Sequence, residues 1–73
     1  MPYFTLIERD EYGLWWPQFG DYEKSVVRGE LDDYVDSGRG PVSAFKIVET
    51  PTDAQAEIDR VCADLFRASQ EPK

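Results

Sequence analysis

Asp32, Asp33 and Asp36 form the densest set of side chains with metal-binding or acid-base chemistry in the sequence. On a helix Asp32 and Asp36 stand one turn apart while Asp33 points elsewhere, and no glycine-bearing EF-hand loop surrounds them, so no metal is expected. The chain has no histidine, which removes Ser-His and Cys-His pairs and the commonest general base near neutral pH. Cys62 is the one cysteine. It has no internal disulfide partner, no set of imidazoles and thiolates to join around zinc, and a place on an apolar helical stripe, so it reads as a buried structural thiol. Gly38-Arg39-Gly40 combines glycines with a cation, as a phosphate nest would. It lacks the P-loop spacing and the Lys-Ser/Thr that follows, and reads as a helix-ending loop. The expectation is a protein with no catalytic residues, no metal and no cofactor.

The charge balance says more. Across all 73 residues the formal net charge is −7. Between positions 8 and 36 stand Glu8, Asp10, Glu11, Asp21, Glu23, Glu30, Asp32, Asp33 and Asp36, opposed by Arg9, Lys24 and Arg28 alone. Such a half repels phosphate backbones, whose binding needs clustered Lys and Arg. Direct nucleic-acid binding is therefore not expected. The field favours a basic protein surface, including one that itself handles nucleic acid.

Positioning these residues requires elements, and the sequence supplies five. Residues 3–9 alternate as a strand, with Phe4 and Leu6 on one face and Tyr3, Thr5 and Ile7 on the other. Asp10-Glu11-Tyr12-Gly13 is a hairpin connection in which Gly13 takes positive φ. The returning strand, residues 14–19, places Trp15, Pro17 and Phe19 on one face and Leu14, Trp16 and Gln18 on the other. Pro17 cannot donate to a ladder, which makes this an edge strand. Asp21 suits the N-cap of a helix over residues 22–37 with an apolar stripe of Val27, Leu31, Tyr34 and Val35. Gly29 inside it signals close packing or a bend, and Gly38 suits C′.

Residues 43–49 make the third strand, with Phe45 and Ile47 opposite in facing to Ala44, Lys46 and Val48. A last helix starts at Thr50-Pro51 or at a Thr52-Gln55 capping box. Its buried face carries Ala54, Ile58, Val61, Cys62, Leu65 and Phe66, and residues 69–73 form a frayed tail. The predicted fold is α+β: ββαβα in a single domain over residues 1–73, a three-stranded antiparallel sheet in the order 2-1-3, both helices packed on one face. The other face would be open, with Trp16 on it beside Leu14 and Val48. Phe4, Trp15, Phe19, Phe45 and Phe66 are the expected aromatic core, each contributing roughly 2 to 3 kcal/mol if buried. No signal-like segment opens the chain and no apolar run nears the roughly 18 residues of a membrane span. The expected setting is the cytoplasm.

Two resemblances bear on function. The segment 3–10, then Gly13, Trp15, Pro17-Gln18-Phe19-Gly20-Asp21-Tyr22 and residues 30–34, together about half the chain, resembles a group of small phage and prophage proteins. That resemblance implies the setting of anti-CRISPR and other host-takeover inhibitors, some of which occupy nucleic-acid sites on their targets. The strand, acidic glycine turn and aromatic strand also resemble the N-terminal part of HicB-type antitoxins, with Pro17-Gln18-Phe19-Gly20-Asp21 where that family has Pro-Asp-Leu-Pro-Gly. The leading expectation is a non-enzymatic phage-type inhibitor that binds a basic bacterial protein, a CRISPR effector complex being one such target. Asp21, Glu23, Glu30, Asp33 and Asp36 would supply the field, with Tyr12 and Trp16 as anchors. The alternative is a homodimeric or antitoxin-like interaction module that uses the open sheet face around Trp16.

Overall fold

The computed structural model describes residues 1–70. It contains strands β1 (Tyr3–Arg9) and β2 (Trp15–Asp21), helix α1 (Lys24–Asp36), a 3-10 turn at Val42–Ala44, strand β3 (Phe45–Thr50) and helix α2 (Gln55–Gln70). The strands form one antiparallel sheet in the order β2-β1-β3. Element order and sheet order are those expected, and the fold is a small α+β one. Helix α2 takes in Ser69 and Gln70, which the sequence placed in a frayed tail; the rest of that tail, residues 71–73, lies outside the described residues.

The helices do not share a face. Leu6, Val27 and Phe45 are buried together with Phe4, Phe19, Leu31, Tyr34 and Ile47 around them, so α1 covers the Leu6 side of the sheet. Ile7, Ile58 and Cys62 form a second buried group with Tyr3, Trp15, Val48 and Leu65, so α2 covers the Ile7 side. The reason is visible in β1. Both of its faces are apolar, and adjacent strand residues point in opposite directions, so a layer on one side would leave Ile7 in water. Instead Leu6 and Ile7 are each 0 % exposed. Among the described residues each sheet face thus carries a helix, and the expected open face is not found. The core is correspondingly less aromatic than expected: Phe45 is buried, but Phe4, Trp15, Phe19 and Phe66 are only half-buried around aliphatic centres.

A second correction concerns β2. Leu6 stands opposite Phe19 and Ile7 opposite Pro17, so Gln18 is an extra residue that β1 does not match. This β-bulge reverses the facing of everything on one side of it. Phe19 joins the α1 core while Trp15 joins the α2 core, rather than the two sharing a face. Trp16, paired with Glu8, turns to the α1 side.

Helix ends follow local hydrogen bonding. Asp21 remains in β2, opposite Phe4, and its Oδ1 accepts the Glu23 N–H at 2.8 Å. Glu23, not Asp21, is the N-cap, and it makes no side-chain cap bond. The far end closes as anticipated: Gly38 has φ +78°, its N–H reaches the Val35 carbonyl at 3.1 Å, and the Arg39 N–H reaches that of Tyr34 at 3.2 Å, a Schellman closure. Neither expected start of α2 is used. The Ala54 carbonyl accepts the first helical N–H groups, Thr52 Oγ1 accepts the Ala54 N–H at 3.2 Å, and Gln55 turns to Asp59 instead of back to Thr52.

Two glycines have opposite roles. A Cβ on Gly20 would collide with the Tyr3 ring, which lies across it and packs edge-on against Tyr22 with centroids 4.9 Å apart. A Cβ on Gly29 would meet nothing within 4 Å, so this glycine neither permits close packing nor serves α1. Gly29→Ala should therefore stabilise by about 0.5 to 1 kcal/mol, and Gly20→Ala should destabilise by about 1 to 3 kcal/mol through overpacking, both read from urea midpoints. The layer arrangement has its own test. Ile7→Ala should lose about 2 to 5 kcal/mol and accelerate amide exchange first in α2, whereas Leu6→Ala should do so first in α1.

Candidate functional site

Of the nine acids between positions 8 and 36, two are committed to the scaffold. Glu8 pairs with Arg39 at 3.1 Å, and Arg39 also donates to Gln18 Oε1 at 2.9 Å and lies over the Tyr34 ring at 4.6 Å. One guanidinium thus ties β1, the bulge in β2 and the end of α1. Asp10 organises the hairpin. Its Oδ1 accepts the backbone N–H groups of Tyr12 at 2.8 Å and Leu14 at 3.0 Å, while Oδ2 accepts the Trp16 indole N–H at 2.8 Å. Gly13 takes φ +85° within that turn, as expected.

Asp21 apart, the remaining acids have no side-chain partner among the described residues. Among the described residues the only ion pairs are Arg39–Glu8 and Arg67–Asp64. Residues 23, 26, 30 and 33 follow one another at helical spacing, which puts Glu23, Val26, Glu30 and Asp33 along one flank of α1 beside its buried stripe; Asp36 continues the row by a turn. Glu23, Asp33 and Asp36 are exposed, Glu30 is half-buried, and Val26 is exposed among them. Asp21 stands before the N-terminus of α1, its carboxylate engaged with the Glu23 amide.

Trp16 is 53 % exposed and Tyr12 73 %. Tyr12 projects from the hairpin tip; Trp16 lies on the same side of the sheet as α1, next to Glu8, with its polar edge already satisfied by Asp10. The register thus turns Trp16 toward the side of the sheet that α1 covers, while the residue also borders a groove between β2 and α2. The structure does not place Trp16 beside Val48, which is packed under α2. Arg9 and Lys46 flank the Trp15 ring at 5.7 and 5.8 Å from its centroid on the opposite side.

That side holds a feature the sequence reading missed. Between β2 and α2 runs an open groove of about 540 Å³, walled by Leu14, Trp15 and Pro17 from the strand and by Cys62, Ala63 and Phe66 from the helix. Trp16 contributes to the wall, and Asp59, Arg67 and Gln70 complete it. Cys62 is buried at its base, and that burial, with the Asp59 carboxylate adding to it, pushes the thiol pKa up. A smaller recess of about 260 Å³ continues along β2 past Pro17, reaching Thr5, Gly20 and Gln55. Nothing in residue type marked this groove, because the strand and helix that form it meet only once α2 takes the second face.

Among the described residues no three His, Cys, Asp or Glu side chains come together as a metal site would require, and no helix is long and apolar enough to cross a membrane. Compared with protein-family models, curated proteins and solved structures, the chain matches none.

The hairpin makes a pH-dependent prediction. The Trp16 indole N–H, with the amides of Leu14, Tyr12 and Gly13, favours the Asp10 carboxylate and holds its pKa below the ordinary 3.8. A carboxylate with a depressed folded-state pKa stabilises the fold above its unfolded pKa and loses that contribution as pH falls through the folded value. The Trp16 indole N–H resonance should accordingly titrate with a midpoint below 3.8. Asp10→Asn should remove that titration and leave the indole exchanging faster at neutral pH.

Proposed function

We propose that the protein acts without catalysis, as an inhibitor of phage type that docks the acidic flank of α1 onto a basic, nucleic-acid-handling bacterial protein. A CRISPR effector complex belongs to this class of target. The observation that carries the reading is the row Glu23, Glu30, Asp33 and Asp36, which no cation of the described residues neutralises. Carboxylates held on a helix at fixed spacing mimic the charge of a phosphate backbone, and an exposed Val26 among them offers apolar contact once water leaves. Trp16, held by Asp10 on the same side, and Tyr12 at the hairpin tip supply aromatic anchors of the kind that dominate interface energies. Asp21 extends the negative field at the start of the helix. The homodimeric or antitoxin-like alternative loses its proposed surface, since α2 covers the face it required.

Affinity capture from a bacterial lysate, with and without competing duplex DNA, tests the reading. The expected catch is a basic nucleic-acid-binding protein released by the DNA. With that target purified, Glu30→Lys with Asp33→Lys should slow association by a factor of about 10 to 1,000 and flatten its salt dependence. Association rates indifferent to both reversals would sink the electrostatic docking.

A further inference from the structure

The outer edge of β2 is unpaired among the described residues, because β1 occupies its other side and β2 ends the sheet. Helix α2 packs on the Ile7 face of the sheet and meets β2 through Trp15. The two recesses between them share Pro17, so together they follow β2 from Leu14 to Gly20. We propose that this trough binds an extended peptide segment of a partner protein by strand addition to β2. An apolar side chain of the peptide enters the larger recess and a basic side chain faces Asp59. The surface is separate from the acidic flank of α1, which covers the opposite face of the sheet.

Four observations favour this occupant. A strand added to β2 presents alternate side chains to the α2 side, the spacing needed to fill both recesses. The larger recess is walled by Leu14, Trp15, Ala63 and Phe66, and its volume of about 540 Å³ falls in the range of roughly 300 to 1,000 Å³ typical of ligand pockets. In the smaller recess Thr5 is 2 % exposed and its hydroxyl has no hydrogen-bond partner among the described residues, although buried polar groups are almost always paired. A polar side chain of the added strand, reaching inward over β2, would satisfy it. Finally, of the two charged residues on the larger recess, Arg67 is paired with Asp64 at 3.4 Å, while Asp59 meets only the neutral Gln55 amide at 2.9 Å. Arg9 and Lys46 lie against the Trp15 wall, so the complement is local: Asp59 is the lining charge without an opposite partner, and a cationic residue of the peptide pairs with it there.

A second copy of this chain fits less well. Two β2 edges pairing with each other would bring a proline and a bulge from both strands into one ladder, and both devices obstruct edge pairing. A foreign strand meets each only once.

The test is a selection of displayed random dodecapeptides on the protein, with counter-selection on Ala63→Arg, which fills the groove from an exposed helix position. Peptides retained by the wild type alone should pair an apolar residue with Lys or Arg. A synthetic consensus should shift the amide resonances of residues 14–20 and bind Ala63→Arg at least about tenfold more weakly. Asp59→Lys, also at an exposed site, should weaken the same peptide by a similar factor and decides the matter should Ala63→Arg fail to fold. Thr5→Val should cost about threefold to tenfold in affinity while leaving the fold intact, a change that a merely structural threonine would not produce. The proposal is overturned by peptides that bind both variants equally or shift α1 instead, and by a selection that enriches none. It is equally overturned by a wild-type dimer in sedimentation that Ala63→Arg dissolves, which would make a second copy the occupant.

Discussion

Leu6 and Ile7 are consecutive, and both are wholly removed from solvent. Because neighbouring strand residues face opposite ways, this pair obliges the sheet to be covered twice. Everything else in the architecture follows from that demand. Each helix supplies what one face lacks: α1 brings Val27, Leu31 and Tyr34 to Leu6, and α2 brings Ile58, Cys62 and Leu65 to Ile7. A chain this short has only enough apolar side chains for two thin layers, which is why the aromatics end half-buried at the margins rather than enclosed. The arrangement leaves the central strand as the most protected element, and the β2 edge and helix flanks as the surfaces open to other molecules.

The bulge at Gln18 makes two covered faces compatible with β2. Without the extra residue Trp15, Pro17 and Phe19 would crowd one side, and the α1 core would lack its contribution from β2. With it, Phe19 faces α1 and Trp15 faces α2. The bulge is held by more than backbone geometry. Arg39 donates to the Gln18 side chain while pairing with Glu8 and stacking on Tyr34, so the irregular residue is clamped by the loop that ends α1. The same reversal carries Trp16 to the α1 side, where Asp10 fixes its indole. A single inserted residue thereby decides which aromatic builds the core and which one is displayed.

Much of this was legible in residue types. Pro17 placed β2 at the edge, Gly13 and Gly38 announced their positive φ values, and the stripe of Val27, Leu31, Tyr34 and Val35 named the buried side of α1. The two-sided burial was legible in principle: Tyr3, Thr5 and Ile7 alternate with Phe4 and Leu6, so neither face of β1 is polar, the pattern of a strand covered on both sides. Reading the alternation as a choice between faces concealed it. The bulge was not legible, because a bulge depends on register against a partner strand and no local residue preference specifies it here. The trough was invisible for the same reason. Its walls come from segments more than forty positions apart, brought together by the placement of α2. The acidic row on α1, by contrast, needed only helical spacing, though the sequence could not reveal that Glu8 and Asp10 serve the scaffold.

The division of the acids bears on how the proposed surfaces would work together. Glu8 and Asp10 are locked into the sheet and hairpin; Arg39 neutralises Glu8, whereas Asp10 meets only neutral donors and its charge still adds to the field around the molecule. Long-range attraction acts before contact and depends on that summed field, whereas the trough discriminates only at contact, through shape and one unpaired carboxylate. On the proposed reading a basic partner would be drawn by the whole acidic half and could then place an apolar and cationic segment against β2. The two contributions are separable because α1 and α2 lie on opposite sides of the sheet and share no buried cluster. Changes on one helix should therefore combine additively with changes on the other, as distant sites without common neighbours do, and a departure from additivity would mean that one partner spans the β2 edge and touches both.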